Sequence, residues 1–216
     1  MIQKITSIIL LSSILISFTT KKDIQNRSLS KLDDKEFFES KNFEELNNLT
    51  LQKIILFEKK NNSKDVTLDI PVYIGRSLYP NTNDYNLAFP KKFKRIDSTG
   101  YNLDVSYYST KKDSLIRVIT YDWRIKYDYN NPNFFNMDSI TIKKNSTYFQ
   151  TKFNSIKDIL LKNIGKPNLI EINSTKHKRV YQDKYKWSKK NANAYLYITG
   201  NTKIGFSHVS LIIYKN

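Results

Sequence analysis

The clearest periodic signal in the chain lies between residues 145 and 167. Phe149, Phe153, Ile156, Leu160 and Ile164 recur at spacings of four, three, four and four, which line one face of an α-helix. Ser146 or Thr147 stands where a cap belongs, Gly165 can take the backbone turn past the last residue, and Pro167 prevents continuation. After this helix the period changes to two. Strands are predicted over 169–172, 180–187, 194–199 and 209–214, with loops short enough for antiparallel connections. Ala194, Leu196 and Ile198 face one way and Tyr195 and Tyr197 the other, and Val209, Leu211 and Ile213 likewise oppose His208 and Ser210.

Upstream, residues 103–109 and 115–123 read as a hairpin turning at 111–113. Its second strand carries apolar groups on both faces, Leu115, Ile119 and Tyr121 against Ile116 and Val118, which predicts a central position in a sheet. Val66, Leu68 and Ile70 alternate with Thr67 and Asp69 until Pro71, the pattern of an edge or terminal strand. Residues 31–60 carry Phe37, Phe38, Phe43, Leu46, Leu49, Ile54 and Phe57 at roughly helical spacing, with a break at Asn47 and Asn48, so one or two helices are expected there. Ser30, three residues before Asp33, resembles a capping box. Residues 61–65, 79–85 and 127–136 are turn-rich links. The resulting fold class is α+β: a two-layer sandwich of antiparallel sheet packed on one or more helices.

The first residues have a different character. Lys4 precedes an uncharged apolar run over 5–18, followed by Thr19, Thr20 and the charged Lys21, Lys22 and Asp23. This is the layout of a signal peptide, assigned to residues 1–19, and the run is shorter than the roughly twenty residues of a bilayer-spanning helix. The alternative is an uncleaved anchor, since the cleavage region lacks alanine. Residues 20–30 read as a flexible leader, and 31–216 as a single α+β domain or two lobes, 31–140 and 141–216. An exported protein, periplasmic or extracellular, with no transmembrane span in its mature chain is expected.

Composition narrows the chemistry. The absence of cysteine removes disulfides, thiolate ligands, thiol nucleophiles and the lipidated cysteine of a lipoprotein. The net charge is +16, built from 30 Lys and only 6 Arg. Phosphate recognition favours the planar fork of Arg, so Lys dominance weakens a specific polyanion reading. The charge is unevenly spread, however. Residues 141–216 hold 15 Lys or Arg against 3 Asp or Glu, whereas 20–140 hold 20 against 17. An acidic partner or surface fits that asymmetry.

Catalytic constellations are sparse. His177 lies in the charged stretch 176–179, where cations disfavour a metal. His208 and Ser210 share a strand face without a Gly-x-Ser-x-Gly elbow, so a solvated or structural role is expected of them. Gly200 and Gly205 have the gap of a phosphate loop, but Phe206 stands where Lys is required and a strand follows instead of a helix. Asp122 beside Trp123 is the one suggestive carboxylate, although an Asp closing a strand is commonly a turn former. No cofactor or metal site and no catalytic residue is assigned.

One resemblance stands out. The helix, then Ile164-Gly165-Lys166-Pro167, then a strand ending in Trp187 and two further strands, is similar to the module of small outer-membrane assembly lipoproteins and β-lactamase-inhibitor-like folds. It covers about residues 145–216 and departs from the pattern in lacking the lipid-bearing cysteine and in its wealth of Lys and Tyr. The resemblance implies a binder of other proteins. An earlier repeat, with helices over Phe37 to Phe57 followed by the Leu103 to Trp123 hairpin, would be consistent with a tandem version, but the residues of the two parts do not align. Lys184, Lys186, Lys189, Lys190, Tyr195 and Tyr197 are the expected binding residues, forming a flat basic and aromatic surface. The partner expected is an envelope protein or an acidic glycan or lipid surface, with nucleic acid disfavoured by the export signal. The function expected is a non-catalytic, exported binding protein of the cell envelope. The alternative is an exported hydrolase of envelope glycans acting through carboxylates.

Overall fold

In the computed structural model, two antiparallel meanders advance from opposite edges of one sheet and meet in its middle. The structure describes residues 48–70, 72, 74–76, 78–79, 86–96, 101–125, 137–173, 179–189 and 193–215. All of them belong to the second of two compact units, Phe37–Asn216. The elements are α1 (Leu51–Lys60), β1 (Lys64–Asp65), β2 (Lys91–Ile96), β3 (Asn102–Ser109), β4 (Ile116–Arg124), α2 (Ser139–Ile164), β5 (Leu169–Ile172), β6 (Val180–Ser188), β7 (Asn193–Asn201) and β8 (Phe206–Tyr214). The sheet order is β1-β2-β3-β4-β8-β7-β6-β5, antiparallel throughout. Each meander is a helix followed by four strands, and α2 carries the chain from the centre to the far edge.

Alternation decides which face each side chain enters. Val105, Tyr121, Leu211, Leu196 and Tyr185 are successive cross-strand partners from β3 to β6, and all belong to one apolar cluster. Phe149, Phe153, Ile156 and Leu160 of α2 bury into the same cluster, as does Ile54 of α1. Both helices therefore cover one face, here called inner, and the architecture is a two-layer α+β sandwich. Trp187, fully buried, donates its indole N–H to Gly165 O at 2.8 Å and ties the end of α2 to the sheet. At the other end of α2, Gly205 has φ of 66°, and a Cβ there would come within 2.8 Å of Ile142, so the β7–β8 turn reaches the helix only without a side chain.

A buried ion pair is built into this apolar layer. Glu58 of α1 is fully buried and accepts from Arg95 Nε at 3.0 Å, Arg95 Nη2, Tyr107 Oη at 2.5 Å and Ser63 Oγ. Arg95 also lies over the Phe57 ring at 5.4 Å. Burial by itself lowers the guanidinium pKa, but the bonds to Glu58 outweigh it and hold it above its ordinary value. A buried carboxylate is tolerated only with such complete satisfaction.

Several expectations are corrected. The helix expected to start from a cap at Ser146 or Thr147 starts instead at Ser139, because Asp138 caps it: its carboxylate accepts from Thr141 N and Thr141 Oγ1, both at 2.8 Å. The predicted strand at 66–70 is replaced by the two-residue β1. Asp65 Oδ1 captures Thr67 N at 3.0 Å, a turn that takes Leu68 and Ile70 out of the sheet and leaves them exposed. Strand β2 has no counterpart in the sequence reading. The hairpin 102–124, the central position of β4 and the four C-terminal strands are as expected. The signal segment, the leader, the helical pattern at 31–47, residues 80–85 and 127–136, His177 and Lys190 lie outside the described residues.

Replacing Glu58 by Ala strands the Arg95 charge in the interior and should cost about 3–5 kcal/mol of unfolding free energy, read from the urea midpoint at unchanged slope. Glu58→Leu combined with Arg95→Met removes both charges and should recover most of that loss. Equal losses in the single and double variants would show that packing, not the ion pair, sets the cost.

Candidate binding site on the outer face of the sheet

The face away from the helices is split in two. At one end Tyr108, Val118, Ile212 and Tyr214 form a second buried cluster with Tyr79, and Ile74, Leu78 and Leu87 pack against it. Ile74, Leu78, Tyr79 and Leu87 of the connection between β1 and β2 therefore lie on this end, and the Tyr79 and Tyr214 rings meet edge to face at 5.4 Å. The flat basic and aromatic surface expected around Tyr195 and Tyr197 therefore borders a covered apolar end. Burial raises the Tyr108 hydroxyl, with Asp122 adding to the effect, to a pKa of about 12.

Beyond the covered end, strand register lines up polar groups across the full width of the sheet. Lys94, Asp104, Asp122, Ser210, Tyr197, Lys184 and Glu171 are successive cross-strand partners from β2 to β5. The neighbouring row on one side holds Arg124, His208, Thr199 and Gln182, and on the other Thr120, Ile212, Tyr195 and Lys186. Each side chain of a row stands about 5 Å from the next, within reach of polar contacts.

Four of the six expected binding residues are gathered here. Lys184 faces Tyr197, and Lys186 faces Tyr195. The two tyrosine rings tilt against each other at 5.6 Å, and His208 meets the Tyr197 ring edge-on at 6.0 Å. Both tyrosines also lean on the covered apolar end. Burial raises both phenols above their ordinary value. Lys184 Nζ donates to Glu171 Oε2 at 3.1 Å, and that bond holds its ammonium above the usual lysine value. Lys189 does not join the group. It follows the end of β6 at an odd position, and its ammonium lies 3.9 Å from where a Cβ on Gly165 would stand, beside the end of α2.

The structure adds groups that sequence reasoning kept apart. Asp122 Oδ1 accepts from both Ser210 Oγ at 2.5 Å and His208 Nε2 at 3.1 Å. Directly opposite, Asp104 is paired with Arg124 and, at 3.4 Å, with Lys92 Nζ. The Asp122 carboxyl titrates below its ordinary value: burial alone would raise it, and the His208 and Ser210 hydrogen bonds with the Arg124 charge overcome that.

This geometry is not a nucleophile and its base. The Ser210 proton is directed to Asp122 and not to His208, and Ser210 is 1 % exposed. Two carboxylates do stand opposite each other, Asp104 and Asp122, but a proton donor needs a raised pKa and Asp122 has a lowered one. Among the described residues no three His, Asp or Glu side chains converge in a way that would hold a metal ion. What the surface offers is flat aromatic area, fixed acceptors and donors, and partly exposed cations.

Because the Asp122 carboxyl is depressed in the folded state, its contribution to stability is complete above the unfolded value near 3.9 and is lost as pH falls through the lower folded value. Urea unfolding of the parent and of Asp122→Asn should therefore differ by a constant amount from pH 7 down to about 5, and the gap should close below about 4. A gap that persists undiminished into strong acid would contradict the hydrogen-bonded carboxylate.

No protein-family model matches the chain, and no curated protein and no solved structure matches it either.

Proposed function

We propose that the chain is an exported, non-catalytic binding protein of the cell envelope and that it takes an anionic partner, an acidic protein, glycan or lipid surface, on the outer face of its sheet. The observation that carries this reading is the register of β6 with β7, which brings Lys184 and Lys186 beside Tyr197 and Tyr195 on a face that neither helix covers. Tyrosine supplies large contact area at low conformational cost, and adjacent ammonium groups add long-range attraction for an acid. The concentration of positive charge in residues 141–216 supports the same polarity of partner. The likeness of residues 145–216 to modules that bind other proteins, and the apolar segment before residue 19, support an exported binder.

Photo-crosslinking from position 195 in intact host cells would capture the partner, and the Lys184→Glu, Lys186→Glu double variant should weaken its capture at least tenfold while thermal unfolding stays within a few degrees of the parent. Tyr195→Ala should also weaken it, whereas Lys189→Glu, at the helix end, should have little effect. Undiminished capture by the double variant would remove the binding face from this surface.

A second reading, hydrolysis of envelope glycans, draws on the opposition of Asp104 and Asp122. Glycosidases use two such acids, one of which must hold its proton near neutrality. Any glycan-cleaving activity of the purified protein should then disappear in Asp122→Asn. Activity that survives the substitution would leave this reading without its reactive group.

A further inference from the structure

The two edges of the sheet are treated differently. At one edge β1 is two residues long, carries Lys64 and Asp65, and is held by the Asp65–Lys91 ion pair at 2.7 Å. Short length and charge are the usual protections of an edge strand against pairing with another chain. At the other edge β5 is four residues long and carries a single charge, Glu171, which is bonded to Lys184. It reads Leu169-Ile170-Glu171-Ile172, without Lys, Arg or Pro, and is exposed along its whole length, with Leu169 at 43 %, Ile170 at 54 % and Ile172 at 58 %. Val180, next along the same hairpin, is also exposed. Among the described residues no strand pairs with the far side of β5.

Register defines what could complete this edge. Ile170 and Ile172 face inward, opposite Tyr185 and Asp183 of β6, while Leu169 and Glu171 face outward, opposite Lys186 and Lys184. Glu171 is the last member of the polar row that crosses the sheet, and its side chain is 45 % exposed. A ninth strand would thus place a residue directly against the open side of that carboxylate. A cation there extends the alternation Lys184–Glu171, and a second carboxylate would oppose it.

A second copy of this chain fits poorly. In a two-fold antiparallel pairing centred on Ile170, Leu169 meets the Glu171 of the other copy and Ile172 meets its Asn168. Centred on Glu171, the isoleucines pair well, but the two carboxylates stand face to face. Two chains of +16 also repel each other.

We propose that β5 is a docking edge for an extended segment of a different polypeptide, one with branched apolar residues opposite Ile170 and Ile172 and a Lys or Arg between them opposite Glu171. Main-chain hydrogen bonds to the open edge supply affinity, and the inward isoleucines and outward Glu171 supply selectivity. Glu171 adjoins the tyrosine and lysine surface through its bond to Lys184, whereas pairing along the edge uses main-chain groups of β5 that surface contact does not need.

The test is a titration of the full-length chain with two blocked nine-residue peptides of alternating Thr and Val, one with a central Lys and one with Glu in its place. Amide hydrogen exchange across Leu169–Ile172 reports pairing. The Lys peptide should slow exchange at β5 and bind about three- to tenfold more tightly than the Glu peptide. Glu171→Lys, a substitution at an exposed position, should reverse that order, and Ile170→Lys should abolish protection by either peptide. Equal binding of the two peptides, or no added protection at β5, would overturn the proposal. So would protection that rises with protein concentration alone together with a doubled mass, since the occupant would then be a second copy.

Discussion

The ladder between β4 and β8 is the constraint on which the rest of the molecule depends. It pairs Val118 through Arg124 with Tyr214 through His208, and it is the seam at which a meander from one edge meets a meander from the other. Both strands are buried on both faces over most of their length, so a one-residue slip of either would exchange its side chains between two apolar clusters. Such a slip is excluded by packing, and a fixed seam fixes the position of every other strand relative to it. The helix-and-four-strand order on each side of the seam makes the two halves similar in plan, with the last strand of each at the centre and the first at an edge.

The halves are nevertheless stabilised in different ways. The second is anchored by α2, whose 26 residues lay four large apolar side chains along the inner face. The first has α1, with 10 residues and one fully buried apolar side chain, Ile54. The Glu58 cluster compensates for that deficit by joining α1, β2 and β3 through one carboxylate. Four donors around one carboxylate satisfy it without water, which is the condition under which an internal charge specifies a packing geometry instead of breaking it.

What the sequence made legible follows from this contrast. In α2 and in β7 and β8, the residues that fill the core are Phe, Ile, Leu, Val and Ala at regular spacing, and period alone reveals both element and face. In β2, Lys91–Ile96, the inward positions are Phe93 and Arg95, and an inward Arg makes sense only with Glu58, which lies 37 residues away. No local pattern carries that information. Likewise the capping carboxylate of Asp138 is plain once its bonds to Thr141 are seen, but Ser146 and Thr147 offer an equally good cap to a reader of the sequence. The tyrosines and lysines of the outer face were legible because each pair lies on one strand. Asp122 was not connected to His208 and Ser210, 86 and 88 residues later, because parity along a strand gives the face and says nothing about which strand lies beside it.

The cost of the polar row is itself an argument about its use. Placing Asp104 directly opposite Asp122 is unfavourable, and the fold offsets it with Arg124 and Lys92 on one carboxylate and His208 and Ser210 on the other. A sheet face selected for stability alone would carry Thr or Val at these positions and need none of the four partners. The same strands show that apolar residues are accepted on this face, since Ile212 lies on it one row farther along and Val118 two rows, both packed with Tyr79 of the β1–β2 connection. The chain thus has an apolar covered end and a charged open end on one surface, with Tyr195 and Tyr197 between them, each leaning on the covered end and opposed by a lysine on the other side. Local rules of sheet design are broken where the surface is open and are obeyed where it is closed, which is the distribution expected when the open end is kept for contact with another molecule.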